Sequence, residues 1–318
     1  MPTLTQAPPL PRWHGAEVAV EPPAGRYGAW AGAPSAVRDG EVIYLAYRVR
    51  MPLGEGRGVA NVIARSTDGV RFTTIAEVHK DRFGAESLER PSLVRTPEGR
   101  WRLYVSAATP RTKHWRVDLL EADDPADLGE APARTVLPGD ETVGVKDPVL
   151  LHDDGWHLWA SCHPLESFED ADRMTTDYAT SPDGVRWTWH GTALAGRPGE
   201  WDARGVRLSS VVRSADGDTL LATYDGRATA RENWEERTGT AYATRDGVHF
   251  GAFTPATAPP TGSPHEPYGL RYVCHVPLDD GRHRLYYEAT RADGAHELRT
   301  ELLRPPVRTQ RAAAVTHG

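Results

Sequence analysis

The chain has 318 residues, a formal net charge of −7 at pH 7 and a hydrophobic content of 39%, which is enough for a packed core. The negative net charge disfavours a general nucleic-acid-binding protein. Two cysteines, Cys162 and Cys274, are too few for a disulfide framework, so we expect two buried free thiols.

The N-terminal residues, M-P-T-L-T-Q-A-P-P-L-P-R-W, lack the basic and apolar regions of a secretory signal. No apolar run is long enough to cross a membrane. We therefore expect a cytoplasmic protein with no membrane partner. Residues 1–26 are predicted to be an N-terminal extension, 27–303 the folded domain, and 304–318 a flexible C-terminal tail.

Five segments along the chain repeat one pattern, a turn with Asp-Gly or Glu-Gly followed by an aromatic-rich strand. In chain order they read R-D-G-E-V-I-Y-L-A-Y-R from Arg38, P-E-G-R-W-R-L-Y-V-S from Pro97, D-D-G-W-H-L-W-A-S from Asp153, A-D-G-D-T-L-L-A-T-Y from Ala215 and D-D-G-R-H-R-L-Y-Y-E from Asp279. The turn glycines are 59, 56, 62 and 64 residues apart. Strand repeats of this period predict an all-β fold, a five-bladed β-propeller with four-stranded antiparallel blades around a central axis.

A second turn supports this prediction. Near-copies of it read S-T-D-G-V-R-F from Ser66, S-P-D-G-V-R-W from Ser181 and T-R-D-G-V-H-F from Thr244. Asp-Gly suits a tight hairpin because glycine accepts positive φ. We interpret these turns as the hairpins between the third and fourth strands of a blade, with a structural role rather than a ligand-binding one.

Charged residues cluster where each predicted blade begins its first strand or ends its second. In a propeller these positions gather at one mouth of the axial channel. Any one of these residues is explained by a solvated salt bridge, but as a set they are typical of a polar-ligand pocket. The candidate substrate-binding residues are Arg48, Arg50, Arg90, Lys146, Arg207, Asp225, Arg227, His163, His265, Tyr268 and Glu288.

The same segments resemble the five-bladed glycoside hydrolase propellers. A-P-S-A-V-R-D-G-E-V-I-Y-L-A-Y-R-V-R and V-I-A-R-S-T-D-G-V-R-F are similar to the first blade of glycoside hydrolase family 130, the β-mannoside phosphorylases and related hydrolases. V-K-D-P-V-L-L-H resembles the Lys-Asp strand of that family and the Asp-Pro-Ser strand of family 43. Arg48, Lys146 and Asp147 match residue by residue, and Glu89 matches as a position.

The chain also departs from both families. The resemblance places the catalytic acid of family 130 at Arg90, and it places the general base of family 43 at Ala33. The general acid of family 43 would fall near Arg207. Neither set of catalytic acids is therefore complete in this chain.

Candidate catalytic carboxylates are Asp147, Glu89 and Glu266. Inverting hydrolysis needs two carboxyl groups, whereas a phosphorylase needs one acid and a basic cradle for phosphate. We predict a carbohydrate-active enzyme, hydrolase-like or phosphorylase-like, that cleaves or transfers a glycosyl bond of a small polar sugar-like substrate, with phosphate as a candidate second substrate. Loop residues Trp30, Trp115, Trp201 and Trp234 are candidates for stacking on a sugar.

We expect no cofactor and no metal, because the chain lacks paired His or Cys ligand spacing. Two alternative functions stay open. One is an enzyme that reuses the fold for a lyase, isomerase or biosynthetic tailoring step on a non-sugar anionic metabolite. The other is a non-catalytic binder of a sugar or an anion.

Overall fold

The computed structural model describes residues 7–214, 217–244 and 251–304, which contain strands and short 3-10 helices. The 3-10 helices are Lys80–Phe83, Pro125–Gly129 and Ala230–Glu232. The strands are β1 (Glu17–Val20), β2 (Trp30–Asp39), β3 (Val42–Arg50), β4 (Gly58–Ser66), β5 (Thr73–His79), β6 (Ser87–Arg95), β7 (Trp101–Ala108), β8 (Trp115–Ala122), β9 (Arg134–Leu137), β10 (Val143–His152), β11 (Trp156–Pro164), β12 (Thr175–Ser181), β13 (Thr188–Leu194), β14 (Gly205–Arg213), β15 (Thr219–Arg227), β16 (Arg237–Thr244), β17 (Thr254–Pro255), β18 (Leu270–Pro277), β19 (His283–Thr290) and β20 (His296–Leu303).

Some sequence predictions fall outside the described residues. They are most of the predicted tail 304–318, the third D-G-V turn at 245–250, and two residues of the fourth repeat at 215–216. Within the described residues, no helix is both long and apolar enough to span a membrane. Cys162 and Cys274 are buried free thiols, as predicted.

Consecutive strands pair in four-stranded antiparallel units, which confirms the all-β prediction. The units are β2–β5, β6–β9, β10–β13, β14–β17 and β18–β20 with β1. The last unit takes its fourth strand from the N-terminus, because β1 pairs antiparallel with β20. β1, which lies within the predicted extension 1–26, is thus the fourth strand of the last unit. A parallel bridge from Trp30 to His296 joins this unit to the first.

The two D-G-V turns that the structure describes form hairpins and also fasten neighbouring units together. In the first, Asp68 Oδ1 accepts the backbone N–H groups of Val70 and Arg71, and these bonds lower the pKa of Asp68 to about 2. Gly69 has φ of 74°, which favours glycine. Its carbonyl accepts the Tyr286 hydroxyl of the fifth unit at 2.9 Å. The second turn repeats this arrangement with Gly184 and Tyr104.

Most apolar clusters lie between units. One joins the first two units through Ile63, Leu103 and Leu120. Other clusters join the second to the third, the third to the fourth, and the fifth to the first. The innermost strands β2, β6, β10, β14 and β18 contact one another in cyclic order, so the fifth returns to the first.

Each innermost strand carries an irregularity at the same point. Pairing shifts between Gly32 and Ser35 in β2, and equivalent shifts occur in β6, β10, β14 and β18. Ala33, Asp147 and Tyr272 occupy this point with φ of 52°, 54° and 56°. The five innermost strands form a ring, which we call the strand ring. Because a bulge changes the direction of the neighbouring side chain, the residue just before each bulge faces the same end of the strand ring.

We expect Leu103→Ala to destabilise the fold, because Leu103 is fully buried between the first two units. Loss of a buried leucine side chain costs about 2–5 kcal/mol. Leu53→Ala is the matched control, since Leu53 is 60% exposed. Urea unfolding measures both; equal midpoints for the two variants would contradict this packing.

Candidate functional site

A cavity of about 290 Å³ opens at the end of the strand ring that the bulges face. Seven of the sequence-predicted residues line it. They are Arg48, Arg50, Glu89, Lys146, His163, Arg207 and Arg227. Trp30, Trp115 and Trp234 also line it, whereas Trp201 packs on Tyr224 instead.

The floor comes from the position just before the bulge in successive units. Glu89, Lys146, Arg207 and Arg271 stand there, and all four line the cavity. The first unit has Gly32 instead. A Cβ at Gly32 would lie 2.1 Å from Glu288 Oε2, so the missing side chain leaves room for Glu288.

Glu89 is the predicted catalytic carboxylate that reaches the cavity. Its Oε2 accepts a bond from Arg48 Nη1 at 2.6 Å, and Arg57 Nη2 lies 3.6 Å from Oε1. Burial alone would raise the pKa of Glu89, but Lys146, Arg48 and Arg57 outweigh burial and hold that pKa well below its usual value. Among these side chains Glu89 is therefore ionised at neutral pH.

Glu236 is a second lining carboxylate, and the sequence analysis missed it. Arg271 and Arg227 each donate to it at 2.7 Å. Burial alone would raise the pKa of Glu236. Arg271, Arg207 and Arg227 lower that pKa by more than burial raises it, so it lies well below the ordinary range. Glu236 lies just before β16, where no motif marks it; the pairing of β15 with β16 brings it to the cavity.

Three predicted carboxylates lie beneath the floor rather than in the cavity lining. Asp147, Asp225 and Glu288 are each 0% exposed. Asp147 Oδ2 lies 3.5 Å from Arg207 Nη1 and 3.8 Å from Lys146 Nζ. These contacts make Asp147 a counterion of two floor cations.

The other two buried acids, Asp225 and Glu288, differ in the direction of their pKa shifts. Asp225 accepts bonds from Arg207 and from the Thr238 hydroxyl, yet burial raises its pKa. Glu288 accepts from Arg271 at 2.7 Å, and although burial raises its pKa, Arg271 and the hydrogen bond from His296 hold it well below normal.

Arg50 is a buried cation of the cavity that has no ion pair among the described residues. It is 4% exposed, and its guanidinium lies 3.8 Å from the Trp30 ring centroid and 4.8 Å from that of Trp234. No carboxylate oxygen of the described residues lies within 4.0 Å of it. Burial, together with Arg48, lowers the pKa of Arg50 to about 9. A buried cation in this state is stabilised by an anionic ligand.

The cavity as a whole has an excess of hydrogen-bond donors. Eight cationic side chains line it against four carboxylates. Several buried lining nitrogens have no partner among the described residues, and these are Arg48 Nε, Arg50 Nη1, Arg57 Nε, Arg227 Nε, Trp30 Nε1 and Trp115 Nε1. The arrangement is suited to an acceptor-rich, negatively charged ligand.

His163 is a neutral member of the lining. Its Nδ1 lies 2.7 Å from the Ala171 carbonyl, which accepts, so Nδ1 carries the proton and Nε2 is an acceptor. Burial, then the nearby charge of Lys146, holds the pKa of His163 well below its usual value.

Three predicted residues lie away from the cavity lining. Glu266 is exposed and accepts from the Tyr268 hydroxyl at 3.0 Å, while His265 packs against Trp13. The Glu266–Pro267 step resembles the charged-residue-then-Pro step of other units, but β18 begins only at Leu270. The equivalent position is therefore Arg271.

Arg90 also lies outside this cavity. It occupies the bulge position itself, and its guanidinium donates to the carbonyls of Pro34 and Ser209 on neighbouring innermost strands. Among the residues that the structure describes, no group of three or more His, Cys, Asp or Glu side chains is placed to hold a metal ion.

The fold is shared with solved glycoside hydrolase structures. A glycosyl hydrolase from Bacteroides ovatus superposes with a TM-score of 0.63 and 14% identity over 93% of this chain and 96% of that one. A thermostable family-43 glycoside hydrolase gives 0.65 and 12% over 86% and 88%.

A third structure comes from work on the GH130 family of mannoside phosphorylases, described as containing glycoside hydrolases that target β-1,2 mannosidic linkages in Candida mannan. It gives a TM-score of 0.63 and 16% identity over 93% and 96% of the two chains. No protein-family model and no curated protein matches the sequence. The structural likeness thus confirms the resemblance at the level of the fold.

We expect Glu236→Gln to destabilise the protein at pH 7 by about 3–5 kcal/mol, because removal of one partner leaves buried charges uncompensated. The pKa of Glu236 is lowered in the folded state, so its stabilisation is full above about pH 4.5 and is lost as pH falls below that value. The difference in the free energy of unfolding between the parent and Glu236→Gln should therefore become smaller in acid.

Denaturant unfolding between pH 7 and pH 3 tests this expectation. Glu130→Gln is the control, because Glu130 is an exposed carboxylate. A difference in the free energy of unfolding that stays constant across this pH range would show that Glu236 is not held ionised by its arginines.

Proposed function

We propose that the chain is a five-bladed β-propeller whose axial cavity is the active site of a carbohydrate-active enzyme. Three features support this architecture: the cyclic contacts of the innermost strands, the completion of the last unit by β1, and the shared fold with family-43 and family-130 structures. The substrate is a small polar sugar-like molecule, and the enzyme works with a bound anion.

The unpaired Arg50 is the observation that carries the proposal. Every other arginine of the inner lining has a carboxylate partner, for example Arg48 with Glu89 and Arg227 with Glu236. Arg50 instead lies between two indole rings. A phosphate or carboxylate of the ligand would supply the missing charge, and guanidinium binds such groups in bidentate fashion.

The walls of the cavity suit a sugar. Trp115 and Trp234 line it among charged groups and are partly exposed, and indole faces pack against the apolar faces of sugars while polar neighbours bind hydroxyls. Trp30 is 1% exposed, because His296 and Arg50 cover its ring. The volume of about 290 Å³ corresponds to a small ligand.

Transfer to phosphate is better supported than hydrolysis. Inverting hydrolysis needs one carboxyl protonated and one ionised, but the two buried carboxylates of the lining, Glu89 and Glu236, both have strongly lowered pKa values. Bound phosphate would share Arg48 and Lys146 with Glu89. Because burial favours the protonated form, the pKa of Glu89 would then rise.

In the proposed reaction, a phosphate oxygen forms the bond to the anomeric carbon as the glycosidic C–O bond breaks. Protonated Glu89 gives its proton to the departing oxygen and becomes a carboxylate. Asp147 stays beneath the floor and holds Lys146 and Arg207 in place. The acid is thus available only when the anion is present.

A second candidate is a binder of anions, or an enzyme acting on a non-sugar anionic metabolite. The ion pairing of the two buried lining carboxylates, Glu89 and Glu236, favours it, because both are held ionised by arginines and neither is free to act as an acid. The two candidates share the anion site and differ in sugar binding and turnover.

We expect Arg50→Met to weaken phosphate binding about 10–100-fold, as loss of one charge-assisted hydrogen bond costs about 1.5–3 kcal/mol. Thermal shift with inorganic phosphate measures this at constant ionic strength, since a ligand of the folded state raises the melting temperature. Arg65→Met is the matched control, because Arg65 is exposed on β4 of the same unit. Equal phosphate responses in the two variants would refute the role of Arg50.

We expect Glu89→Gln to reduce turnover by about 100-fold or more, the usual contribution of a general acid. The assay follows phosphate release from hexose 1-phosphates with and without an acceptor sugar. Release that requires the acceptor supports phosphorolysis, and release without it indicates hydrolysis. Phosphate binding with no release from any hexose phosphate would favour the anion binder.

A further inference from the structure

A second cavity, of about 550 Å³, lies at the opposite end of the same innermost strands. It is lined by the segments that follow the bulges, including Ser92 of β6, Val149 of β10 and Ser210 of β14. The first cavity is lined by residues that precede the bulges. The two cavities are therefore separate and share no lining residue.

The lining of this second cavity contains cationic side chains and no carboxylate among the described residues. Arg90, Arg95 and Arg213 line it, and no aspartate or glutamate is among its described lining residues. Arg95 pairs with Asp39 and Arg213 pairs with Asp153, both outside the lining.

Arg90 differs from the other two arginines. It is 3% exposed, and no carboxylate oxygen of the described residues lies within 4.0 Å of its guanidinium. Nε and Nη2 donate to the carbonyls of Pro34 and Ser209, while Nη1 is buried without a partner. Carbonyl oxygens satisfy hydrogen bonds but supply no negative charge.

The nearest acid is already engaged. Asp147 accepts the backbone N–H of Arg90 at 3.1 Å, but its carboxylate also lies near Lys146 and Arg207. An isolated buried cation costs free energy unless a counterion is present. The chain supplies that counterion for the floor of the first cavity and not for Arg90.

We propose that the second cavity binds a small inorganic monoanion such as chloride against the Arg90 guanidinium. The anion neutralises the buried charge from the end of the ring remote from the proposed active site. This site stands independently of the proposed function, because it shares no residue with the first cavity. Binding stabilises the fold, since the ordered Arg90 ties β6 to β2 and β14 through its carbonyl bonds.

The test is thermal unfolding of the full chain as chloride replaces gluconate at constant ionic strength. We expect the melting temperature to rise and to saturate with chloride, and Arg90→Met to abolish the rise. Arg95→Met is the matched control and should retain it, because Arg95 lines the same cavity but has its own carboxylate. A chloride response that survives in Arg90→Met, or no response in the parent, would overturn the proposal.

Crystals of the parent protein soaked in bromide provide a second measurement that does not depend on a variant folding. Anomalous scattering should show a bromide peak beside Arg90. A peak beside Arg50 alone would support the first cavity as an anion site and overturn the second. A peak beside Arg90 alone would support the second cavity as an anion site and would overturn the anion site beside Arg50. The two proposals can therefore fail independently of each other.

Discussion

The buried ion pairs beneath the first cavity are the interaction on which the rest of the site depends. Glu89, Lys146, Arg207 and Arg271 occupy one position in successive units, and three of these four side chains are cationic. Such charges repel one another in a medium that screens poorly. Asp147, Asp225 and Glu288, all fully buried, supply the compensating charge from below. Their oxygens are thereby committed to the floor, and Arg50 above it stays without a carboxylate.

The repeated bulge sets the direction of one side chain in each unit without setting its residue type. The strand pairing shifts at the same place in every innermost strand, so the backbone aims one side chain per unit at a common point. The residue type at that point then varies freely between acid, base and glycine. Gly32 shows the coupling between units, because its missing side chain is what admits Glu288 from the neighbouring unit.

The comparison with solved structures concerns the fold, and a fold hosts many chemistries. In this chain, charge is distributed unevenly between the two ends of the ring of innermost strands. At the position where the resemblance to family 130 places an acid, this chain has Arg90, whose guanidinium bonds to carbonyls near the opposite end.

The strand repeats, the described hairpin turns and most of the charged floor can be predicted from the sequence alone. Asp-Gly turns are local chemistry, so the hairpins predicted at Asp68 and Asp183 are present, and each Asp Oδ1 accepts the backbone N–H of the Val two residues later. Arg48, Glu89, Lys146 and Arg207 were predictable because each stands at a fixed distance from a recognisable strand. Where a second charged step mimicked the first, as at Glu266, the sequence placed the site residue five positions early.

Which charged side chains meet depends on the packing of the units against one another. Glu236 reaches the cavity through strand pairing with β15, and β1 completes the last unit from the far end of the chain. The isolation of Arg50 and Arg90 is likewise invisible in the sequence, where both have acidic residues nearby. Ion pairing depends on distances of a few ångströms between side chains of different units, and sequence spacing does not fix those distances.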